Sequence, residues 1–543
     1  MPRAPLYPDE FHVYDTTLRD GAQREGVSYS VADKLAVAHL LDDLGVGFIE
    51  GGWPGALPKD TEFFARVAAG ELRLRTAQLV AFGSTRRADL AAHKDPQVLA
   101  LLDSMAPVVT LVAKSDRRHI ERALRVDVAT NLAMISDTVR LLASEGRRVF
   151  LDAEHFFDGF AYDPDTALRV LEVAVGSGAE VAVLCDTNGG QLPLQLAETV
   201  CEVLTRTGFR VGIHCQDDTG CAVANTLAAV EAGASHVQCT ANGYGERAGN
   251  ADLFAVIGNL VTKLDLPVVP QERLSALSTV SRAIAELANI SPDAHQPYVG
   301  ASAFTHKAGL HASAIVVDPL LYNHISPETV GNTTRVLVTE MAGRASLELK
   351  SAELGVDLSG NPAVAGRVAR RVKELEARGW SFEAADASLE LLLTKELDED
   401  YRPPFEVESY QVVLDHRPDG SVLSQATVSM RVASYQVVAT ARGSGPVEAL
   451  DAALRKALAE RLPWLADVEM ADYKVRNLAG APGADALARV LVVSRDRERE
   501  WTTVGVHTSV VEASMLALCD AVAFAALSHG AAQHRALVAQ PPR

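Results

Sequence analysis

The sequence predicts an α/β fold: a (β/α)8 barrel in the N-terminal half, helical linker subdomains after it, and a C-terminal α+β domain of two βββα halves. Three observations predict it. Eight short apolar, β-branched runs alternate with longer Ala/Leu/Arg-rich segments of helical period, as strands covered on both faces by helices should. Polar side chains recur at the carboxyl ends of most of these runs. Past residue 400 the texture changes to alternating strands.

The first strand is Phe11-His12-Val13-Tyr14 with its continuation to residue 17. The others are expected at 45–52, 77–83, 108–114, 148–154, 180–187, 210–216 and 236–242, with helices such as 32–44 and 192–205 between them. Eight β/α units in about 250 residues is the size of a TIM barrel. An open doubly wound sheet would carry a glycine-rich phosphate turn after strand one, and here that turn is Leu18-Arg19-Asp20-Gly21. The strand ends bring Asp15, Asp20, Glu50, Lys114, Glu154, Asp186, Thr187, His214, Gln216 and Asn242, and in a barrel those ends converge on one face. The barrel is expected over residues 1–270 and the linker over 271–400, helices broken by Gly and Pro that hold His306 to His311. An acidic, proline-containing run ending at Pro403-Pro404 marks the boundary to residues 401–543. There, strands at 410–414, 425–432 and 435–440 precede a helix opened by Ser444 and Pro446. The pattern recurs with strands at 472–477, 488–494 and 501–506 and a helix from about Ser509.

With 543 residues, 48% hydrophobic and 22% charged, the chain can bury large cores. Lys+Arg 51 against Asp+Glu 70 gives −19, which argues against nucleic acid or an anionic membrane as partner. Residues 1–10 carry no basic-then-apolar leader, and no stretch reaches about 18 uninterrupted apolar residues. A cytoplasmic location is therefore expected. None of the six cysteines forms a CxxC pair, and they read as core residues in a reducing compartment.

Arg19 offers a forked donor for a carboxylate or carbonyl, and Asp20 a hard oxygen ligand. Along strand seven, alternation points His214 and Gln216 to one side and Cys215 to the other. Strand one neighbours strand eight and then strand seven in a closed barrel. Asp20, His214 and Gln216 can then share a divalent cation, with Asn250 as a further oxygen donor. Oxygen-rich ligation with one imidazole favours Mn²⁺ or Mg²⁺ and leaves Zn²⁺ and Co²⁺ open. A structural Arg19–Asp20 ion pair and a core histidine at 214 are the rival readings.

Leu18-Arg19-Asp20-Gly21-x-Gln23, then ten residues and Lys34, resembles the first signature of the 2-isopropylmalate, homocitrate and citramalate synthases. His214 to Gly220 is similar to their second signature, His-x-His-(Asp/Asn)-Asp-x-Gly, with Gln216 in place of the second histidine. Asn242-Gly-Tyr-Gly-Glu-Arg-Ala-Gly-Asn250 resembles the glycine-rich segment after strand eight. Three stretches, from Glu50 to Asp60, Asp152 to Gly159 and Val330 to Val338, are most similar to the citramalate branch. The resemblance implies a metal-dependent condensation of acetyl-CoA with pyruvate and water. It implies that Arg19 stabilises the alkoxide and that Gln23, Glu50, Thr187 and Asn242 bind substrate. Glu154 or His311 would take the acetyl proton, with Tyr322 beside His311 and His311 donated across a homodimer. The tail from Gly443 to Leu450, Asp472 to Arg476 and Trp501 to Val506 resembles the family's regulatory domain, for which isoleucine is the implied effector. A larger 2-oxo acid as acceptor, a lyase and a non-catalytic amino-acid sensor are the alternatives.

Overall fold

The computed structural model describes residues 10–307, 309–339, 344–356, 358, 361–398, 400–478 and 486–529; apart from Glu10, the leader expectation lies outside them. Two compact units make up the chain, one of residues to 304 with 325–333, the other of 305–324 with 334 onward.

In the first unit, strands β1 (His12–Asp15), β2 (Phe48–Gly52), β3 (Gln78–Ser84), β4 (Val108–Lys114), β5 (Arg148–Glu154), β6 (Val181–Asp186), β7 (Val211–Cys215) and β8 (His236–Cys239) close into one parallel barrel in chain order. All eight predicted strands are present. Side chains alternate inward and outward. Tyr14, Phe48, Val80, Val108, Phe150 and Val183 fill the lumen, while Val13, Ile49, Leu111, Leu151 and Cys215 pack outward. The helix after β1, Val31–Leu44, starts where Ser30 Oγ accepts from Asp33 N and the Asp33 carboxylate accepts from Ser30 N at 2.8 Å. It stops at Gly45, in the left-handed region at φ 98°. Helix Leu277–Leu287 and Val330 belong to the same core, and residues up to 304 with 325–333 of the expected linker group with the barrel unit.

At the lumen floor His12 and His236 meet with their Nδ1 atoms 3.1 Å apart and no exposure. Burial, then Arg210 and Arg148, drives His12 down to about 3, and burial with His12 pushes His236 well below the usual imidazole range. Both are neutral in the folded chain, whereas unfolded imidazoles take protons near 6.5. Stability is then complete above that value and is lost as pH falls below it, by about 2 kcal/mol at pH 5 for His12. Urea titrations of the barrel transition at pH 7.5 and 5 should show this loss, and His236→Gln should make it shallower. An unchanged loss in the variant would place the acid sensitivity elsewhere.

In the second unit, β9 (Thr305–His306) pairs in parallel with β10 (Arg335–Val336). Helices Arg344–Glu353, Pro362–Glu376 and Asp386–Leu397 contribute Leu347, Val364, Val368 and Leu389 to a core completed by Val504 and Val506. Those helices therefore share a core with strand residues of the tail. The tail has the two βββα halves expected. Antiparallel β11 (Glu406–His416), β12 (Val422–Val432) and β13 (Tyr435–Gly443) lead into helix Pro446–Leu458. Antiparallel β14 (Glu469–Asn477), β15 (Ala488–Arg495) and β16 (Glu500–His507) lead into helix Val510–His529. Alternation is plain on β12, where Ser424, Ala426, Val428, Met430 and Val432 are buried. The first helix is capped differently from expectation. Gly445 is its N-cap, and Ser444 N donates instead to the Glu448 carboxylate at 2.8 Å. Within the second helix, Val510–Leu527 is long and apolar enough to cross a membrane by composition. Its Ala513, Ala517, Leu518, Val522 and Ala525 are instead buried in the core beneath the two sheets.

Candidate active site

The loop after β1 builds the centre of the site. Asp15 is spent on local structure: its carboxylate accepts from Thr17 N at 2.9 Å and Thr17 Oγ1 at 2.7 Å. Thr17 Oγ1 in turn accepts from Ala241 N at 2.7 Å, tying the β1 loop to the β8 loop. Arg19 is fixed on three sides. Its Nε donates to Glu50 Oε1 at 2.5 Å, its Nη1 to Asp20 Oδ2 at 2.9 Å, and its guanidinium lies 3.8 Å from the Phe82 ring centre. Glu50 also accepts from Thr16 Oγ1 at 2.6 Å and from Tyr14 OH. Burial disfavours the charged form of Asp20, but Arg19, His214 and the Asn250 amide outweigh it and hold its carboxyl below the ordinary range.

Asp20 and His214 come together. His214 Nε2 stands 3.8 Å from Asp20 Oδ2, close enough for one cation to touch both. Gln216 and Asn250 form an isolated antiparallel bridge, and Asn250 Nδ2 donates to Asp20 Oδ1 at 3.1 Å. Gly245 makes this approach feasible: at φ +157° it runs so close that a Cβ would sit 2.2 Å from Asn250 Nδ2. Gln216 Oε1 and Asn250 Oδ1 are both buried and without a hydrogen-bond partner. Two orphaned amide oxygens beside a carboxylate and an imidazole nitrogen fit a divalent cation. Among the described residues no three His, Cys, Asp or Glu side chains cluster as metal ligands, so this donor set depends on its two amides.

A cavity of about 680 Å³ opens at Asp20 and Gln216, and Arg19, Gln23, Glu154 and Thr187 also line it. Lys114 and Glu154, register partners on β4 and β5, form an ion pair in its wall. Thr187 Oγ1 accepts from His155 N at 2.8 Å, which leaves its hydroxyl hydrogen to donate.

Two expected substrate contacts stand apart from the cavity. Glu50 is fully buried behind Arg19. Asn242 turns away at φ 56°: its Oδ1 accepts from Ser281 Oγ at 2.7 Å and Gln296 Nε2 at 3.1 Å, and its Nδ2 donates to Ser281 O at 3.1 Å. Asp186 likewise caps Gly190 N and Gln191 N, each at 3.1 Å. Lys34 forms a buried ion pair with Asp60 and donates to Gly51 O at 2.9 Å, beneath the loop that carries Trp53. Gly52, at φ +137°, lets Asp60 reach that loop, for a Cβ there would lie 2.3 Å from Asp60 Oδ2.

Sequence reasoning missed Trp53, Phe82, Arg86, Arg87 and Arg247 in the cavity wall. Arg247 crosses three loops, donating to both Asp218 oxygens at 2.7 and 3.0 Å and to Thr187 O at 2.7 Å. The signal for Arg247 is its place inside the glycine-rich segment; Phe82 carries none beyond its strand position.

His311 and Tyr322 lie in the second unit, on and just past helix Gly309–Val317. Their rings stack with centres 4.1 Å apart. Leu310, Val317, Leu320 and Leu321, in the same stretch of chain, are 58–80% exposed.

The HMGL-like family matches residues 10–284, the homocitrate synthase post-HMGL domain-like family residues 298–379, and the LeuA allosteric (dimerisation) domain residues 383–526. An (R)-citramalate synthase of Streptomyces coelicolor is 59% identical over 96% of this chain and 98% of its own length. One from a Synechocystis species is 46% identical over 94% and 95%. A 2-isopropylmalate synthase of Methanocaldococcus jannaschii is 30% identical over 95% and 94%.

Proposed function

The chain belongs to the (R)-citramalate synthase family, and from that premise we propose that it condenses acetyl-CoA with pyruvate and water to citramalate and CoA. The observation that supports this most is the pairing of Asp20 with His214 beside two orphaned amide oxygens, directly under Arg19.

A divalent cation held by Asp20, His214, Gln216 and Asn250 would supply Lewis acidity at the carbonyl of a 2-oxo acid. An amide oxygen at 216 in place of a second imidazole biases the site toward Mn²⁺ or Mg²⁺ over Zn²⁺. Arg19 meets the negative charge that grows on the carbonyl oxygen as the new carbon–carbon bond forms, and its anchors to Glu50 and Asp20 hold it ready. Thr187 donates its free hydroxyl hydrogen to the keto acid's carboxylate, and Gln23 adds an amide from the same wall. Glu154, in the cavity, and His311, from the second unit of a partner subunit, are the two candidates for removing the acetyl methyl proton. Hydrolysis of the condensed thioester then needs one water and no protein nucleophile. Burial pushes the Cys185 and Cys215 thiols well above their ordinary range, consistent with a spectator role.

The second unit serves as a dimerisation module, and we assign it isoleucine as effector, in keeping with a cytoplasmic place in that amino acid's synthesis. The test is thiol release from acetyl-CoA with pyruvate, 2-oxoisovalerate or 2-oxoglutarate, with and without Mn²⁺ and isoleucine. Release that requires pyruvate and metal is expected. Faster release with a larger 2-oxo acid would move the chain to the 2-isopropylmalate or homocitrate type of condensation, and no release with any acid would leave an amino-acid sensor.

A further inference from the structure

The second nitrogen of His214 enters a hydrogen-bond chain across the barrel lumen. His214 Nδ1 lies 2.8 Å from Oε1 of Gln238, its register partner on β8. Gln238 Nε2 donates to Asp152 Oδ1, on β5, at 2.8 Å. Gln238 and Asp152 are 1% and 4% exposed, and neither lines the cavity.

An amide has one accepting end and one donating end. An ionised carboxylate only accepts, so the NH2 of Gln238 must face Asp152 and its carbonyl must face His214. Burial raises Asp152 to about 7, so this direction is enforced above that pH, where the carboxylate is ionised. The carbonyl therefore meets an Nδ1 that carries the ring's proton, and Nε2 is left as a lone pair on the Asp20 side. Asp152 thus settles the state of His214 without touching it.

We propose that Asp152 and Gln238 are positioning residues, a relay across the lumen that locks His214 in the one tautomer whose Nε2 can ligate a cation. This rests on the cation site described above. Histidine ligands are commonly oriented by such outer partners, whose loss weakens metal binding about 10–100-fold.

The test titrates Mn²⁺ into metal-free, full-length protein by calorimetry, with the tautomer read separately from selectively ¹⁵N-labelled histidine. Asp152→Asn offers an amide that can donate or accept, so Gln238 is free to turn both ways. Affinity is expected to fall about 10–100-fold, with a mixed tautomer at His214. In the double variant Asp152→Asn/Gln238→Glu, the carboxylate introduced on β8 accepts both from His214 Nδ1 and from the amide introduced on β5. Affinity should return to within about threefold of wild type, with Nδ1 protonated again. A role in lumen packing alone would not be rescued by that swap. Gln238→Met removes the acceptor and should lose the same factor, and it decides the matter if Asp152→Asn does not fold. Single variants that bind Mn²⁺ like wild type, or a double no tighter than Asp152→Asn, overturn the relay. Wild type that takes up no Mn²⁺ overturns the cation site itself, and the relay with it.

Discussion

Arg19→Lys is expected to lower kcat by about 10²–10³-fold, the loss typical of removing a preorganised donor to a developing oxyanion. KM for pyruvate should change far less. Lysine keeps the charge but loses what the structure uses. The guanidinium spends one edge on Glu50 and Asp20 and one face on Phe82, so it is held without rotamer search. An ammonium on a flexible stem can satisfy one carboxylate at a time and cannot stack flat on the ring. Because the expected loss is at the transition state, kcat and kcat/KM should fall together. Mn²⁺ affinity should be nearly retained, since Asp20 keeps its Asn250 contact and its approach to His214. A variant within tenfold of wild type in kcat would remove Arg19 from the chemistry and leave it the structural partner of a buried glutamate.

The barrel and half of the candidate site were legible because both follow from period-two alternation. Near-continuous apolar runs identify strands buried on both faces, and the same alternation separates His214 and Gln216 from Cys215. Asn242 and Asn250 show where this stops. They lie eight residues apart in one glycine-rich loop, and which of them faces Asp20 depends on positive φ at Asn242 and Gly245, which no periodicity records. Phe82 on β3 under Arg19 of the β1 loop, and Asp152 on β5 behind Gln238 on β8, are contacts between barrel units that are not neighbours. A linear pattern places each residue inside the barrel but not against its partner. The helices of the linker show a related limit. Helices 277–287, 344–353, 362–376 and 386–397 carry apolar residues, and nothing in their pattern says which existing core they will join.

His311→Ala is expected to lower kcat by about 10²–10⁴-fold, the range for losing a general acid or base, with pyruvate and Mn²⁺ binding at the barrel little altered. The reason to look for this residue's partner in another subunit lies in its surroundings. His311 stacks on Tyr322, and Leu310, Val317, Leu320 and Leu321 in the same stretch of chain are 58–80% exposed, apolar side chains that a second copy would cover. Donation across a twofold dimer makes a quantitative demand. If His311→Ala and His214→Ala chains are mixed, unfolded and reassembled at random, half the dimers are heterodimers. In each heterodimer both defects fall in one site and the other site is intact, so the mixture should recover about a quarter of wild-type activity from two inactive parents. If each site is built from a single chain, every site carries one defect and the mixture stays inactive. Recovery near a quarter with Mn²⁺ present therefore places His311 in the partner's reaction. Absence of recovery, in mixtures shown to form heterodimers, would return the acetyl proton to Glu154.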